Sequence, residues 1–143
     1  MVAKVTWKGG LDFNGDAKSG FSLDLSASAK VGGSEDGFRP MELMALGLAG
    51  CAAMDVMSIL QKKRQHITDF EVHVHPEFAD KHPYVWTQVQ IEYRITGKDI
   101  NPKAVERAIE LSFSKYCPAY NMLNDSITFD SIYQIVEADT VVS

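Results

Sequence analysis

Alternating apolar and polar residues predict strands in the first part of the chain. Residues 3–8 alternate and predict a strand. Residues 11–13 and 19–26 are predicted to form a hairpin around the turn sequence Asn14-Gly15-Asp16. The polar, glycine-rich residues 30–39 that follow predict a loop.

A long apolar segment after this loop predicts a helix from Pro40 to Arg64, because proline suits the first turn of a helix. Its central part, Leu43 to Met54, contains no charged residue. The small residues of this segment are Ala45, Gly47, Ala49, Gly50, Ala52 and Ala53. A surface helix carries only one apolar stripe, so every face of this helix needs cover. The pattern predicts a homodimer with this helix at its centre; the alternative is that the chain's own second helix and sheets enclose it.

The second half of the chain predicts two more strands, a pair of helices and a last strand. The predicted elements are strands over 69–75 and 84–96, a helix over 101–116, a short helix over 118–123, a strand over 127–136 and a frayed end over 138–143. The residues predicted to share the core face of the 84–96 strand are Val85, Thr87, Val89, Ile91, Tyr93 and Ile95. The order βββ-α-ββ-α-β lacks a regular βαβ alternation and predicts an α+β class with antiparallel sheets. At 143 residues, the chain is expected to form a single domain over 1–143.

Composition and charge narrow the function classes. The formal net charge of -5 disfavours nucleic-acid binding. No run reaches the 18 or more apolar residues of a typical membrane span, and residues 1–8 lack the apolar core of a secretory leader. We therefore expect a cytoplasmic protein with no nucleic-acid or membrane partner. In that compartment a disulfide between its two cysteines would be transient and catalytic.

The two cysteines occupy unusual settings. Cys51 lies within the long apolar helix, whereas Cys117 precedes Pro118 at a break between two helical stretches. Because helix starts favour thiolates, Cys117 is placed where its ionised form would be stabilised. If the two sulfur atoms meet in the fold, the chain is a thiol redox protein. The alternative for Cys51 is a buried structural thiol, and the alternative for Cys117 is a packing residue before a proline.

Both cysteine contexts resemble motifs of a known family. Residues 40–51, PMELMALGLAGC, resemble the proline-to-cysteine helix signature of the OsmC/Ohr family (osmotically inducible protein C and organic hydroperoxide resistance proteins). Residues 115–118, KYCP, resemble its second cysteine motif. Residues 55–62 and 96–99 look most like a YhfA-like branch of that family. The resemblance implies an OsmC-like fold, an intertwined homodimer with long central helices flanked by sheets, and two active sites at the subunit interface.

The same resemblance implies a cofactor-free thiol peroxidase that reduces organic hydroperoxides in oxidative stress defence. Carried onto this chain, Cys51 is the peroxidatic thiolate and becomes a sulfenic acid. Cys117 then condenses with it to a disulfide, which a dithiol such as a lipoylated protein reduces. A sulfenic acid beside a second thiol is trapped before it is oxidised further.

The chain departs from the family at the group that activates the thiolate. In the peroxidases a glutamate follows the helix-opening proline and pairs with an arginine from the N-terminal strands. Here that position is Met41, and no arginine precedes Arg39. Arg39 and Glu42 are therefore the candidate activating residues, with Lys18 or a base of the partner subunit as alternatives. The other interpretation is a solvated loop charge for Arg39 and a favourable charge in the first helical turn for Glu42.

Other readings stay open beside the peroxidase. The same fold could bind an apolar small molecule at the dimer interface, or it could serve as an interaction protein with inert cysteines. Asp55, one helical turn after Cys51, is predicted either to belong to the site or the interface, or to be paired elsewhere. His73 and His75 share one strand face and could bind a metal, but the sequence offers no evident third ligand, so an exposed sheet face is the preferred interpretation.

Overall fold

The computed structural model describes residues 2–138 of the chain. The chain divides into two compact units, Met1–Ala45 and Leu46–Ser143, and each is described by itself. The predicted α+β class and the predicted order of elements are confirmed. The single domain over 1–143 stays a prediction. The predicted frayed end over 138–143 lies, apart from residue 138, outside the described residues.

The first unit contains a three-stranded antiparallel sheet. Its strands, in the order β1-β2-β3, are β1 (Ala3–Gly9), β2 (Asp12–Ala17) and β3 (Ser22–Leu25). The hairpin predicted around Asn14-Gly15-Asp16 is wrong, because these residues lie inside β2. The chain reverses after β2, where the Gly20 N–H donates to the Ala17 carbonyl at 2.9 Å. Gly20 has a φ of 92°, which favours glycine and makes it the true turn residue.

Gly15 explains why the turn signal fails. It pairs with Val5 on one side and Leu23 on the other, so pairing on both edges holds it in the strand. A Cβ at Gly15 would lie 3.0 Å from Leu25 Cδ1. The glycine therefore serves close packing within the sheet rather than a turn.

Helix α1 spans Pro40–Lys62, close to its predicted bounds. At its start, the Glu42 carboxylate accepts a hydrogen bond from the Arg39 N–H at 2.8 Å, the back-reaching half of a capping box. At its end, Arg64 takes a left-handed conformation (φ 55°) and the Gln65 N–H donates to the Leu60 carbonyl at 3.0 Å. That pattern satisfies carbonyls that a helix end otherwise leaves unpaired.

The second unit contains a three-stranded mixed sheet. Its strands, in the order β4-β5-β6, are β4 (His66–Phe78), β5 (Trp86–Lys98) and β6 (Thr128–Glu137). β4 and β5 are antiparallel as predicted, but β5 and β6 run parallel. The physical reason is the long connection over residues 99–127. A crossover that contains helices can carry the chain back to the end of the sheet where β5 begins, so that β6 runs in the same direction as β5.

The connection between β5 and β6 contains two helices. They are α2 (Pro102–Leu111) and α3 (Pro118–Leu123), joined by a π-helical turn over Ser112–Tyr116. The Asn101 side chain caps α2 by accepting from the Lys103 N–H at 3.0 Å. The predicted 101–116 helix is therefore α2 followed by the π-helical turn.

The core of this unit lies against one face of β5. The four fully buried residues of that face are Val89, Ile91, Tyr93 and Ile95, as predicted. The prediction is wrong at the start of the strand, where Val85 is 52% exposed, Thr87 is exposed and Trp86 is buried. The pairing with β4 shifts between Glu77 and Phe78, and this irregularity changes which side chains face the core there.

Only one stripe of α1 is buried by the chain itself. Its buried residues, spaced four apart, are Leu48, Ala52, Val56 and Leu60. Leu46 and Met54 are 54% and 76% exposed. The helix is long and apolar enough to cross a membrane. Its regular buried stripe and the mid-helix Asp55 are features of a core helix.

Candidate functional site

Helix α1 positions two of the residues around which the candidate site is built. Cys51 and Asp55 are one turn apart, so their side chains lie on the same face of the helix. Cys51 is a half-buried free thiol. It is therefore the thiol of the pair that a small molecule can reach more readily.

Cys117 is the second thiol, and local hydrogen bonds fix its position. It is buried, with 1% of its surface exposed, and it caps the start of α3. Its sulfur accepts from the Tyr120 N–H at 3.4 Å, and its own N–H donates to the Ser112 carbonyl at 2.8 Å. The Asn121 side chain donates to the Cys117 carbonyl at 2.8 Å. These bonds hold the thiol in one place without help from a ligand.

The electrostatic environment of Cys117 opposes its ionisation. Burial raises the pKa of this thiol, and the charges of Cys51 and Asp55 raise it further. The hydrogen bond from the Tyr120 N–H acts in the other direction but is outweighed. The helix start does favour the Cys117 thiolate through this N–H, but burial outweighs it and the pKa is raised on balance. Hydrogen bonds place these groups together: the Ser112 hydroxyl donates to Asp55, and the Ser112 carbonyl accepts from the Cys117 N–H. Cys51, one turn before Asp55 on α1, lies on the same helix face as that carboxylate.

Asp55 has a neutral partner among these groups. The buried Ser112 hydroxyl donates to Asp55 Oδ2 at 3.1 Å. Ser112 begins the π-helical turn between α2 and α3, a rare conformation that occurs frequently at functional sites. The turn thus provides both the partner of Asp55 and the carbonyl that fixes Cys117.

Strand β5 contributes a buried phenol, Tyr93. Its side chain is fully buried, and its hydroxyl has no hydrogen-bond partner among residues 2–138. Burial raises the pKa of Tyr93, and the charges of Cys117 and Asp55 contribute to the shift. The hydroxyl therefore stays protonated at physiological pH, and it is a buried donor available to a third group.

The sequence does not identify Tyr93 and Ser112 as candidate site residues. Tyr93 was predicted only as a core residue of its strand. The signal in the sequence was a phenol among valines and isoleucines on the face of β5, because a buried tyrosine hydroxyl usually finds a partner.

The candidate activating residues, Arg39 and Glu42, have partners within the first unit. The Arg39 guanidinium contacts Glu35 Oε1 at 3.0 Å and the Gly37 carbonyl at 3.0 Å. The Glu42 carboxylate accepts from the backbone N–H of Arg39. The catalytic roles of Arg39, Glu42, Cys51 and Cys117 stay predictions.

This arrangement can support thiol redox chemistry. It supplies a reachable thiol, a second thiol held protonated, a carboxylate and a proton donor. Oxidation of a thiol to a disulfide by a peroxide uses a nucleophilic thiol first and then a resolving thiol that traps the oxidised sulfur. The arrangement needs no cofactor for such a cycle.

Known proteins resemble this chain over nearly its whole length. The family model described as OsmC-like protein matches residues 32–131. The protein YhfA of Escherichia coli (strain K12) is 35% identical over 138 residues, which cover 96% of this chain and 100% of YhfA. A crystal structure of a hypothetical protein from Aquifex aeolicus has a TM-score of 0.84 at 25% identity and covers 96% of this chain and 97% of its own. An organic hydroperoxide resistance protein from Legionella pneumophila has a TM-score of 0.69 at 19% identity, covers 96% of each chain and is similar in fold.

Proposed function

The chain belongs to the OsmC-like protein family, and we propose that it is a thiol peroxidase that reduces organic hydroperoxides through Cys51 and Cys117. The resemblance to this family and to its YhfA-like branch is confirmed. Family membership suggests a redox or peroxide-related role. The observation that supports the finer proposal is the link through Ser112, which hydrogen-bonds both Asp55, one helical turn from Cys51, and the backbone of Cys117.

Cys51 is the proposed attacking thiol. It is half-buried, whereas Cys117 is buried and held as a thiol by its surroundings. The Cys51 thiolate attacks the terminal oxygen of the hydroperoxide, and a sulfur–oxygen bond forms as the oxygen–oxygen bond breaks. The alkoxide leaves, takes a proton and becomes an alcohol. The sulfur is thereby oxidised to a sulfenic acid.

Cys117 is the proposed resolving thiol. Its sulfur attacks the sulfenic sulfur of Cys51, a disulfide forms, and the hydroxyl group leaves as water with the proton that Cys117 releases. We assign to the Tyr93 hydroxyl a hydrogen bond to that leaving oxygen, because it is a buried donor without a partner among residues 2–138. A dithiol such as a lipoylated protein then reduces the disulfide and is itself oxidised to a disulfide. The proposed location of this cycle is the cytoplasm, where such reductants keep thiols reduced.

A second copy of the chain is the proposed partner of α1. Gly47 and Gly50 each cost the helix about 1 kcal/mol relative to alanine. A Cβ at either position would meet no atom of the described residues within 4 Å. Close approach of a second helix would explain why both positions are glycine. Light scattering should give the mass of a dimer, and Gly50→Leu should shift it towards the monomer; a monomeric wild-type protein would rule out this arrangement.

The peroxidase proposal is tested with the purified full chain, cumene hydroperoxide and dihydrolipoamide. The wild-type protein should consume the peroxide, and Cys51→Ser should abolish turnover. Cys117→Ser should still form one sulfenic acid per chain, trapped with dimedone, but should not turn over. Circular dichroism controls for folding. Full turnover in Cys51→Ser would overturn the proposed role of this thiol.

A second candidate function is the binding of an apolar small molecule. The first unit has an apolar cleft, whose lining includes Val5, Phe21 and Leu23. Mass spectrometry of molecules extracted from the purified protein tests this function. A bound lipid-like molecule, together with no peroxide consumption under any dithiol, would favour binding over catalysis.

A further inference from the structure

Strands β4 and β5 bring together a cluster of possible metal ligands outside the thiol site. His73, His75 and Glu92 can each direct one ligand atom so that these atoms lie within 4.8 Å of one another. The sequence shows the two histidines on one strand face but does not reveal a third ligand. The strand register supplies it, because Glu92 lies directly opposite His73.

The geometry of this cluster suits a shared ion. The rings of His73 and His75 are stacked, with centroids 6.1 Å apart and planes inclined by 14°. His75 Nε2 lies 2.9 Å from Glu92 Oε1. Two side-by-side imidazoles therefore meet one carboxylate, and a cation can take the place of the proton that His75 and Glu92 share.

Neighbouring charges orient the carboxylate and favour a cation. Arg94 Nε donates to Glu92 Oε2 at 2.9 Å and Arg94 Nη2 donates to Glu92 Oε1 at 3.3 Å, so the guanidinium holds both oxygens while Oε1 also faces His75. Hydrogen bonds of this kind commonly fix the carboxylates that ligate metals. Glu71 Oε1 lies 3.8 Å from His73 Nε2. With both histidines neutral, the two carboxylates and one guanidinium leave one net negative charge around the ligands.

We propose that His73, His75 and Glu92 bind a divalent transition-metal ion. Imidazole nitrogen with one carboxylate oxygen suits Zn²⁺ and Ni²⁺, whereas Mg²⁺ and Ca²⁺ prefer oxygen ligands alone. Three protein ligands leave at least one position for water or another molecule. The side chains of His73, His75 and Glu92 are 34%, 51% and 14% exposed, so an ion enters and leaves directly from solvent.

The test is a calorimetric titration of the full chain with Ni²⁺ and, separately, with Zn²⁺. Because thiols also bind these ions, a Cys51→Ser/Cys117→Ser variant is titrated beside the wild-type protein. We expect about one ion per chain at this site in both proteins, beyond any ion that the thiols bind. His75→Gln and Glu92→Gln should each weaken binding at this site by at least about tenfold, the lower end of what perturbing a metal site costs.

His82→Gln is the matched control, because His82 packs on Tyr84 with ring centroids 4.2 Å apart and is not one of the three proposed ligands. This variant should bind as the wild-type protein does. Ni²⁺ should also broaden the imidazole NMR signals of His73 and His75 before those of His82. Absence of binding, or equal affinity in wild type and His75→Gln, would overturn the proposal whatever the peroxidase assay gives.

Discussion

Two polar regions of the chain differ in how their groups are satisfied. At the start of α1, the groups of Arg39 and Glu42 have local partners: Glu35, the Gly37 carbonyl and the Arg39 N–H. Around Cys117, by contrast, the Tyr93 hydroxyl has no partner among residues 2–138, and the nearby charges oppose ionisation of the thiol.

The difference separates a structural arrangement from one suited to chemistry. Charged groups that already have partners at a helix start stabilise the helix and have few hydrogen-bonding positions free for a substrate. A buried donor without a partner destabilises the fold unless another group comes to it. The groups around Cys117 are therefore better suited to act during the reaction than Arg39 and Glu42, the candidate activating residues of the sequence analysis.

Among the variants that test this difference, Tyr93→Phe should have the largest effect on the rate of disulfide formation. If the hydroxyl binds the leaving oxygen, its removal should slow disulfide formation by about tenfold to a hundredfold, since a hydrogen bond to a charged group contributes about 1.5–3 kcal/mol. The free energy of unfolding should stay the same or rise, because no existing bond among the described residues is lost. Stopped-flow measurement of thiol loss after one equivalent of hydroperoxide, with urea unfolding in parallel, checks both expectations.

Tyr133→Phe is the control for this prediction. The Tyr133 hydroxyl is exposed and donates to Glu106 Oε1 at 2.6 Å, so the same atom is removed without touching the groups around Cys117. It should leave disulfide formation unchanged. Equal rates in Tyr93→Phe and wild type would remove Tyr93 from the reaction.

A smaller effect is expected from Asp55→Asn. Its carboxylate raises the pKa of the Cys117 thiol, so removing the charge should lower that pKa. At any pH below the pKa, more Cys117 is then thiolate, and the pH profile of disulfide formation should move to lower pH. Burial is the largest cause of the raised Cys117 pKa and is unchanged in this variant. The profile should therefore move only part of the way towards that of an exposed thiol. Asp130→Asn, which removes a carboxylate on β6, should leave the profile in place.

The sequence predicted the overall fold better than the details of the site. Periodicity placed α1 and the buried face of β5, because burial on one face leaves a clear pattern. It failed at Gly15, where pairing on both sides overrides a turn signal, and at the parallel β5–β6 pair, which depends on where a long connection returns the chain. These outcomes depend on distant partners that local sequence does not encode.

The candidate site, too, could be predicted only in part from the sequence. The motifs that contain Cys51 and Cys117 were visible in the sequence, but the direction of the Cys117 pKa shift was not. A helix start predicts a lowered pKa, whereas burial and the charges of Cys51 and Asp55 raise it. Glu92 was likewise invisible as a partner of the two histidines until the strand register placed it opposite His73.

The smallest effect on chemistry is expected from Glu42→Ala. This change removes the acceptor of the Arg39 N–H and a negative charge from the first turn of α1. It should lower the free energy of unfolding by about 1 kcal/mol, the usual cost of losing a helix cap, and leave peroxide turnover within about twofold, a change of less than 0.5 kcal/mol in the barrier. Urea unfolding and the peroxidase assay measure the two quantities. Glu42→Gln keeps the acceptor but not the charge and should lose less stability. If instead turnover in both variants fell as far as in Tyr93→Phe, Glu42 would act in the chemistry as the sequence predicts, and the contrast between the two regions would fail.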